Sequence, residues 1–163
     1  MQKILFLTGA LGFAGKHYYT QFKNEWDKII IYDKKTYAAD KKFFLKNKRK
    51  KDVFIKGDIC DYQKLKKTIP KNCHVIHFAA ESHVDNSIKN PSKFIETNIT
   101  GTFNLLNISL DYLKEVNPNF YRFHHISTDE VYGDLEKSDP QFTENTPYNP
   151  SSPYSASKAS SDH

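Results

Sequence analysis

Thr128, Asp129 and Glu130 stand side by side in "HHISTDEVYG", His124 to Gly133, where an apolar-leaning run ends. Two adjacent carboxylates repel each other and cost energy to desolvate, so such a cluster belongs either to a solvated turn or to a site where protons move. Further along, "YSASK" sets Tyr154 and Lys158 four residues apart, one above the other on a helix face. A phenol with an ordinary pKa of about 10 is a poor base at neutral pH, but a neighbouring ammonium favours its ionised form and lets it take a proton from a hydroxyl. YxxxK alone is weak, because the spacing arises by chance in many helices.

"TGALGFAG", Thr8 to Gly15, places glycines at 9, 12 and 15 between an apolar run and a helical segment. Glycine there allows a tight turn, close approach of the backbone to a pyrophosphate and packing of helix on strand, while the helix N-terminus favours anionic charge. Asp33 follows at the end of the second apolar run, where a carboxylate can accept both ribose hydroxyl protons of an adenosine. Together they point to a dinucleotide, and because a carboxylate repels a 2'-phosphate they favour NAD over NADP. Lys34 and Lys35 blunt that preference slightly. In "GDI", Gly57 to Ile59, Asp58 is placed to receive an adenine amino group. The competing reading of the glycines is a plain tight turn with a capping Asp.

These residues need a scaffold. "KILFLT", "IIIYD", "VFIKGD", "HVIHFAA" and "YRFHHIS", beginning at Lys3, Ile29, Val53, His74 and Tyr121, are short apolar runs of the kind that form strands buried on both faces. Helical signals separate them. Asp61 opens a short helix ending near Pro70, and a long helix is predicted from Pro91 to Val116 with Asn90 as its cap. Its Ile95, Ile99, Phe103, Leu106, Leu110 and Leu113 recur at three- or four-residue steps and are expected to face a sheet. Strands alternating with helices predict a doubly wound α/β domain with a parallel sheet. A last helix begins at Ser152 or Pro153 and stops within a few turns, so the chain is expected to be truncated before its last strands.

The 163 residues suit one domain, and 38% apolar with 14% aromatic residues is enough for a core, which argues against disorder. The net charge of +5 is concentrated in "KKTYAADKKFFLKNKRKK", Lys34 to Lys51. Such a run can bind nucleic acid, but between two strands it reads as a solvated loop, pinned by Phe43, Phe44 and Leu45; no nucleic-acid partner is expected. Cys60 and Cys73 show no metal or redox spacing and suggest a reducing, cytoplasmic setting, and no apolar run is long enough to span a membrane. His74 and His77, and His124 and His125, point to opposite faces of their strands, so they are read as rim or core histidines and no metal is expected.

Taken together, "TGALGFAG", "GDICD", "HFAAESHVDNSI", "FIETNITGT", "HHISTDEVYGDL" and "PYNPSSPYSASKASSDH" resemble the nucleotide-sugar 4,6-dehydratases of the extended short-chain dehydrogenase/reductase superfamily, most closely the dTDP-glucose branch. The resemblance covers the N-terminal half of such an enzyme. It implies a Rossmann-type NAD-binding domain, partial over residues 1–163, with the substrate-binding domain absent. It implies that Tyr154, helped by Thr128, removes the sugar 4-hydroxyl proton while hydride passes to NAD, and that Lys158 holds the nicotinamide ribose. Glu130 would take the C5 proton and Asp129 would protonate the leaving C6 hydroxyl; on a strand-like backbone their side chains diverge, one toward each carbon. Phe13 and Ala14 would lie over the pyrophosphate turn, Asp33, Lys34, Lys35 and Thr36 would flank the adenosine ribose, and Asp58 and Ile59 would face adenine. Ala79, Ala80, Glu81 and Ser82 would line the cofactor, Ser82 and Thr128 would reach substrate, and Thr97 would touch the cofactor from its helix. Ala14 and Lys35 depart from the larger aliphatic and the apolar residue usual at those places. Homodimers pairing through helices such as the last one are implied for the parent enzyme, and inactivity for the chain alone. UDP-glucose as substrate, an epimerase relative and a noncatalytic dinucleotide-binding module are the alternatives.

Overall fold

The structure is a computed structural model that describes residues 2–40, 42, 46–115 and 121–163. The chain folds as two compact units, one of Met1–Ala79 with Asn104–Ile126 and one of Ala80–Phe103 with Ser127–His163.

The first unit is built on a parallel sheet of β1 (Ile4–Thr8), β2 (Lys28–Asp33), β3 (Val53–Lys56), β4 (His74–His77) and β5 (Phe123–His125), in the order β3-β2-β1-β4-β5. All five expected strands are present. The order reverses beside β1, the switch point at which open α/β sheets receive ligands. In β1 and β2 apolar runs rather than alternation form the strands because both faces are covered, while the edge strands β3 and β5 are only partly buried. On one face Phe6, Ile30, Tyr32 and Val75 pack with Leu65 of α2 (Tyr62–Thr68) and with Leu105, Ile108 and Tyr112 of α5 (Thr102–Leu113). On the other, Leu5, Leu7, Ile29 and Ile31 pack with Tyr19 of α1 (Phe13–Phe22) and with Trp26. Asp61 caps α2 by accepting from the Lys64 N–H at 3.1 Å, as its position predicts.

The second unit contains α3 (Val84–Lys89), α4 (Ser92–Phe94), a π-helical stretch (Ile95–Gly101), a 3-10 turn (Asp129–Tyr132) and α6 (Pro153–Asp162). The chain crosses from this unit to the first within α5. A capping box between Ser152 and Ser155, with Pro153 in the first turn, starts α6 where the sequence places it.

Two expectations are corrected. Asn90 does not cap the long helix: it closes α3, its N–H bonded to the Asn86 carbonyl, and Pro91 stands at the N-cap of α4. The expected sheet-facing stripe is exposed at Ile95, Phe103, Leu106, Leu110 and Leu113. Phe94, Asn98, Thr102, Leu105, Ile108, Ser109 and Tyr112 are buried instead. Both sets repeat at helical spacing, and periodicity cannot tell which of two stripes meets the core. Phe43, Phe44, Leu45 and Val116 lie outside the described residues. The basic loop is anchored at its far end, where Arg49 forms two hydrogen bonds to the buried Asp52, at 2.8 and 2.9 Å, and the Tyr19 hydroxyl donates to the same carboxylate at 2.7 Å.

Candidate active site

In the first unit the glycine turn follows β1 directly. Gly9 has φ of 70°, in the left-handed region, and a Cβ there would stand 2.5 Å from the Ala79 nitrogen. A Cβ on Gly15 would stand 2.3 Å from the Gly9 carbonyl oxygen, so α1 packs onto the turn only because residue 15 is glycine. Gly12 has room beside it, and its extended backbone caps α1, which carries no acidic residue in its first turn and no side-chain cap. The N–H groups of that turn are therefore presented to an anion. Phe13 is largely exposed over the turn, Ala14 is exposed and Gly15 is buried. The buried Thr8 hydroxyl fixes the neighbouring strand end, lying 2.7 Å from His77 Nδ1 and accepting from the Ala79 N–H at 3.3 Å.

Asp33 ends β2 nearly buried, accepting from the Leu11 N–H at 3.1 Å and the Lys35 N–H at 2.7 Å. Burial raises its pKa against the pull of those two donors and the Lys35 charge. The exposed Lys35 has φ of 60°, and its ammonium lies 4.5 Å from the Phe54 ring centre. The Thr36 carbonyl closes a turn with the Ala39 N–H. Asp58 pairs with Lys34 at 2.5 Å and accepts from the Cys60 N–H at 3.0 Å. Burial opposes its ionisation, but the hydrogen bonds from Lys34 and Cys60 and the Lys34 charge together outweigh it and hold its pKa below the ordinary value. Ile59 is buried in the core beneath it.

The remaining expected cofactor residues, Ala80, Glu81, Ser82 and Thr97, belong to the second unit with Tyr154 and Lys158. Ala80 and Ser82 are exposed, and Glu81 and Thr97 half-buried. Asn98, beside Thr97, was missed by sequence reasoning and is the hub of this segment. Its side chain accepts from the Glu81 N–H and donates to the Glu81 carbonyl and to the Ser157 hydroxyl, each at 2.9 Å. The π-helical widening around it is the kind of irregularity that marks functional positions, but no residue type announces it in advance.

Thr128 caps the 3-10 turn, its hydroxyl accepting from the Glu130 N–H at 3.3 Å. Asp129 and Glu130 are thus the first two residues of a helical turn, not members of a strand-like stretch as expected. Their side chains still diverge, since a 3-10 turn rotates about 120° per residue. Both acids are exposed. Tyr154 is almost buried, edge-on to Phe94 with ring centres 6.3 Å apart. Burial raises its pKa, a hydrogen bond from Thr128 opposes that, and the charges of Glu130, Asp129 and Asp162 add to the rise. Lys158, buried one turn further on, is pushed down to about 8 by burial, against the support of Asp162. Partial desolvation raises the pKa of the exposed Glu130, and the nearby charges of Asp129 and Asp134 raise it further, which makes its carboxylate a stronger base than a free one.

A cavity of about 380 Å³ among Lys3, Trp26, His74, Tyr121, Arg122 and His124 lies where β1, β4 and β5 begin, the opposite strand ends from the glycine turn. No expected catalytic or cofactor residue lines it. Among the described residues no cluster of His, Cys, Asp and Glu is arranged to hold a metal ion, and no helix is long and apolar enough to cross a membrane.

The strand order, the glycine turn at the end of β1 and the Tyr154/Lys158 helix define a Rossmann-like α/β protein of the short-chain dehydrogenase/reductase class. The model of the GDP-mannose 4,6 dehydratase family matches residues 6–163, and the chain belongs to that family. It is similar to the dTDP-glucose 4,6-dehydratase of Haemophilus influenzae, with 47% identity covering 100% of this chain and 50% of the relative. To the enzyme of the same name from Mycobacterium tuberculosis it is 44% identical, covering 97% of this chain and 46% of the relative. Among solved structures it is similar to dTDP-glucose 4,6-dehydratase from Streptomyces venezuelae, bound to NAD, with a TM-score of 0.88, 38% identity and coverage of 98% of this chain and 49% of that one. An NAD complex of UDP-glucose 4-epimerase from Thermus thermophilus follows at a TM-score of 0.80 and 26% identity, covering 98% of this chain and 49% of that one. The chain spans about half the length of the relatives it matches.

Proposed function

We propose that the natural-length protein carrying this chain is an NAD-dependent dTDP-glucose 4,6-dehydratase, which converts dTDP-glucose to dTDP-4-keto-6-deoxyglucose and water. The observation that carries the reading is one group of side chains: a Thr-Asp-Glu turn whose Thr128 is hydrogen-bonded to Tyr154, with Lys158 one helical turn beyond. A plain oxidoreductase or epimerase needs the Tyr and Lys but has no use for two acids on that turn. The 44–47% identity to enzymes of this name supports the same substrate.

The first unit fits the cofactor's adenosine diphosphate half. Gly9, Gly12 and Gly15, with Phe13 and Ala14, would hold the pyrophosphate on the α1 N-terminus; Asp33, Lys34, Lys35 and Thr36 would hold the ribose, and Asp58 and Ile59 the adenine. The packing of Gly9 on Ala79 and of Gly15 on Gly9 leaves no room for a side chain at either of those two positions. Ala79 to Ser82 and Thr97 would line the rest of the cofactor, and Tyr154 and Lys158 the nicotinamide ribose. When bound, the nicotinamide ring would supply the acceptor for hydride from C4 and return that hydride to C6.

The chain's own residues do the proton work. Tyr154 takes the 4-hydroxyl proton; its raised pKa means that Thr128 and a cationic partner must favour the phenolate for this to happen. The 4-keto group so formed acidifies the C5 proton, which Glu130 removes. The C6–oxygen bond then breaks, Asp129 protonates the departing hydroxyl so that it leaves as water, and Glu130 returns its proton to C5 as C6 is reduced. Ser82 and Thr128 would hold the sugar. The protein would work in the cytoplasm as a homodimer, and the 163 residues alone would be inactive for want of the rest of the substrate site.

The test is incubation of the natural-length protein with NAD and dTDP-glucose, following the 4-keto-6-deoxy product by its absorbance in alkali. Turnover with dTDP-glucose is expected; no product would sink the reading, and product only from UDP-glucose would move the substrate to the uridine branch.

A further inference from the structure

Asp162 continues the spacing of the Tyr/Lys pair: Tyr154, Lys158 and Asp162 recur every four residues along α6 and so line one face of it. Its Oδ2 accepts two hydrogen bonds, from the Ser127 hydroxyl at 2.5 Å and from the Tyr148 hydroxyl at 3.1 Å. Ser127 is the residue immediately before Thr128, at the entrance to the acid-bearing turn. Tyr148 meets the other end of that turn, its ring edge-on to Tyr132 with centres 5.3 Å apart, while the Asn149 N–H donates to the Val131 carbonyl at 3.0 Å. One carboxylate therefore ties both ends of the turn to the helix that carries Tyr154 and Lys158.

We propose that Asp162 is a positioning residue of the active site, clamping the Thr128-Asp129-Glu130 turn onto α6 through Ser127 and Tyr148. This rests on the dehydratase reading for its catalytic consequence but not for the clamp itself. The same carboxylate supports the charge of the buried Lys158, so the clamp and the electrostatics of the pair share one group. No step of the chemistry uses Asp162, and the reason for an acid here is geometric: a carboxylate oxygen offers two lone-pair directions to two hydroxyl donors on separate segments.

The test compares Asp162→Ala, Asp162→Glu and the double variant Ser127→Ala/Tyr148→Phe in the natural-length protein. Asp162→Ala is expected to lower kcat at least tenfold with KM for dTDP-glucose changed less than threefold. The double variant, which keeps the charge but loses both donors, should reproduce most of that fall, and Asp162→Glu should restore part of it. Amide hydrogen exchange at Thr128 to Val131 should quicken at least tenfold in Asp162→Ala while the sheet amides stay as slow as in the unmodified protein. Exchange unchanged at the turn overturns the clamp. Quickened exchange with undiminished kcat overturns its catalytic role. If the unmodified protein shows no turnover, the dehydratase reading has failed, and the exchange measurement still decides the clamp.

Discussion

Glu130 is the residue whose environment most directly sets a measurable pH dependence. In its proposed role as base at C5 it must be ionised, and partial desolvation with the nearby charges of Asp129 and Asp134 raises its pKa above the ordinary 4.5. Activity should therefore fall on acidification at a higher pH than an ordinary glutamate would give. Asp134→Asn removes one of the repelling charges, so it should shift that acid limb to lower pH, read from kcat against pH; an unmoved limb would mean that another group titrates. Glu130→Gln should cut turnover by about 10²–10⁴-fold, the usual value of a positioned base, while C4 oxidation survives. At this scale the motifs made Thr128, Asp129, Glu130, Tyr154 and Lys158 stand out by residue type, and all five fall in the second unit. The sequence did not disclose Asn98, whose partners Glu81 and Ser157 lie 17 and 59 positions away, since a buried amide acquires meaning only from what it meets.

Strands were the most legible elements, since runs such as Ile29–Asp33 can be covered on both faces only inside a parallel sheet. The helix after Pro91 misled because it carries two apolar stripes, and the π-helical stretch shifts the face that a constant period would assign. The anchoring of the basic loop was equally hidden: Asp52 looks like one more surface charge, yet it is buried against Arg49, Tyr19 and the Ile29 N–H. Burial alone would raise its pKa, but hydrogen bonds from Arg49, Tyr19 and Ile29 outweigh that and hold it below the ordinary 3.8. A depressed carboxyl stabilises the fold above the unfolded-state pKa and loses that contribution as the pH falls through the folded one. Asp52→Ala strands the Arg49 charge and should cost roughly 3–5 kcal/mol in urea unfolding at neutral pH. The gap between variant and parent should narrow as the pH is lowered through the native pKa of Asp52; a constant gap would show that the carboxylate's charge is not what holds the loop.

For the molecule as a whole, the unexplained surface is α5, where Phe103 at 62% and Leu110 at 55% exposure stand in line with the exposed Leu106 and Leu113. Four large apolar side chains in a row on one helix are more than scattered surface residues, and such a patch marks an interaction face. A second copy is the simplest occupant, because a two-fold pairing brings the same four side chains from each subunit and doubles the apolar area removed from water. The homodimer proposed for the natural-length protein should therefore depend on these residues. Leu106→Glu/Leu110→Glu places two carboxylates at solvent-exposed positions, where a folded monomer tolerates them within about 0.5 kcal/mol per site. Sedimentation equilibrium should show the parent protein as a dimer and the variant as a monomer, with circular dichroism unchanged between them. A variant that stays dimeric would move the interface elsewhere and leave the α5 stripe to a different partner.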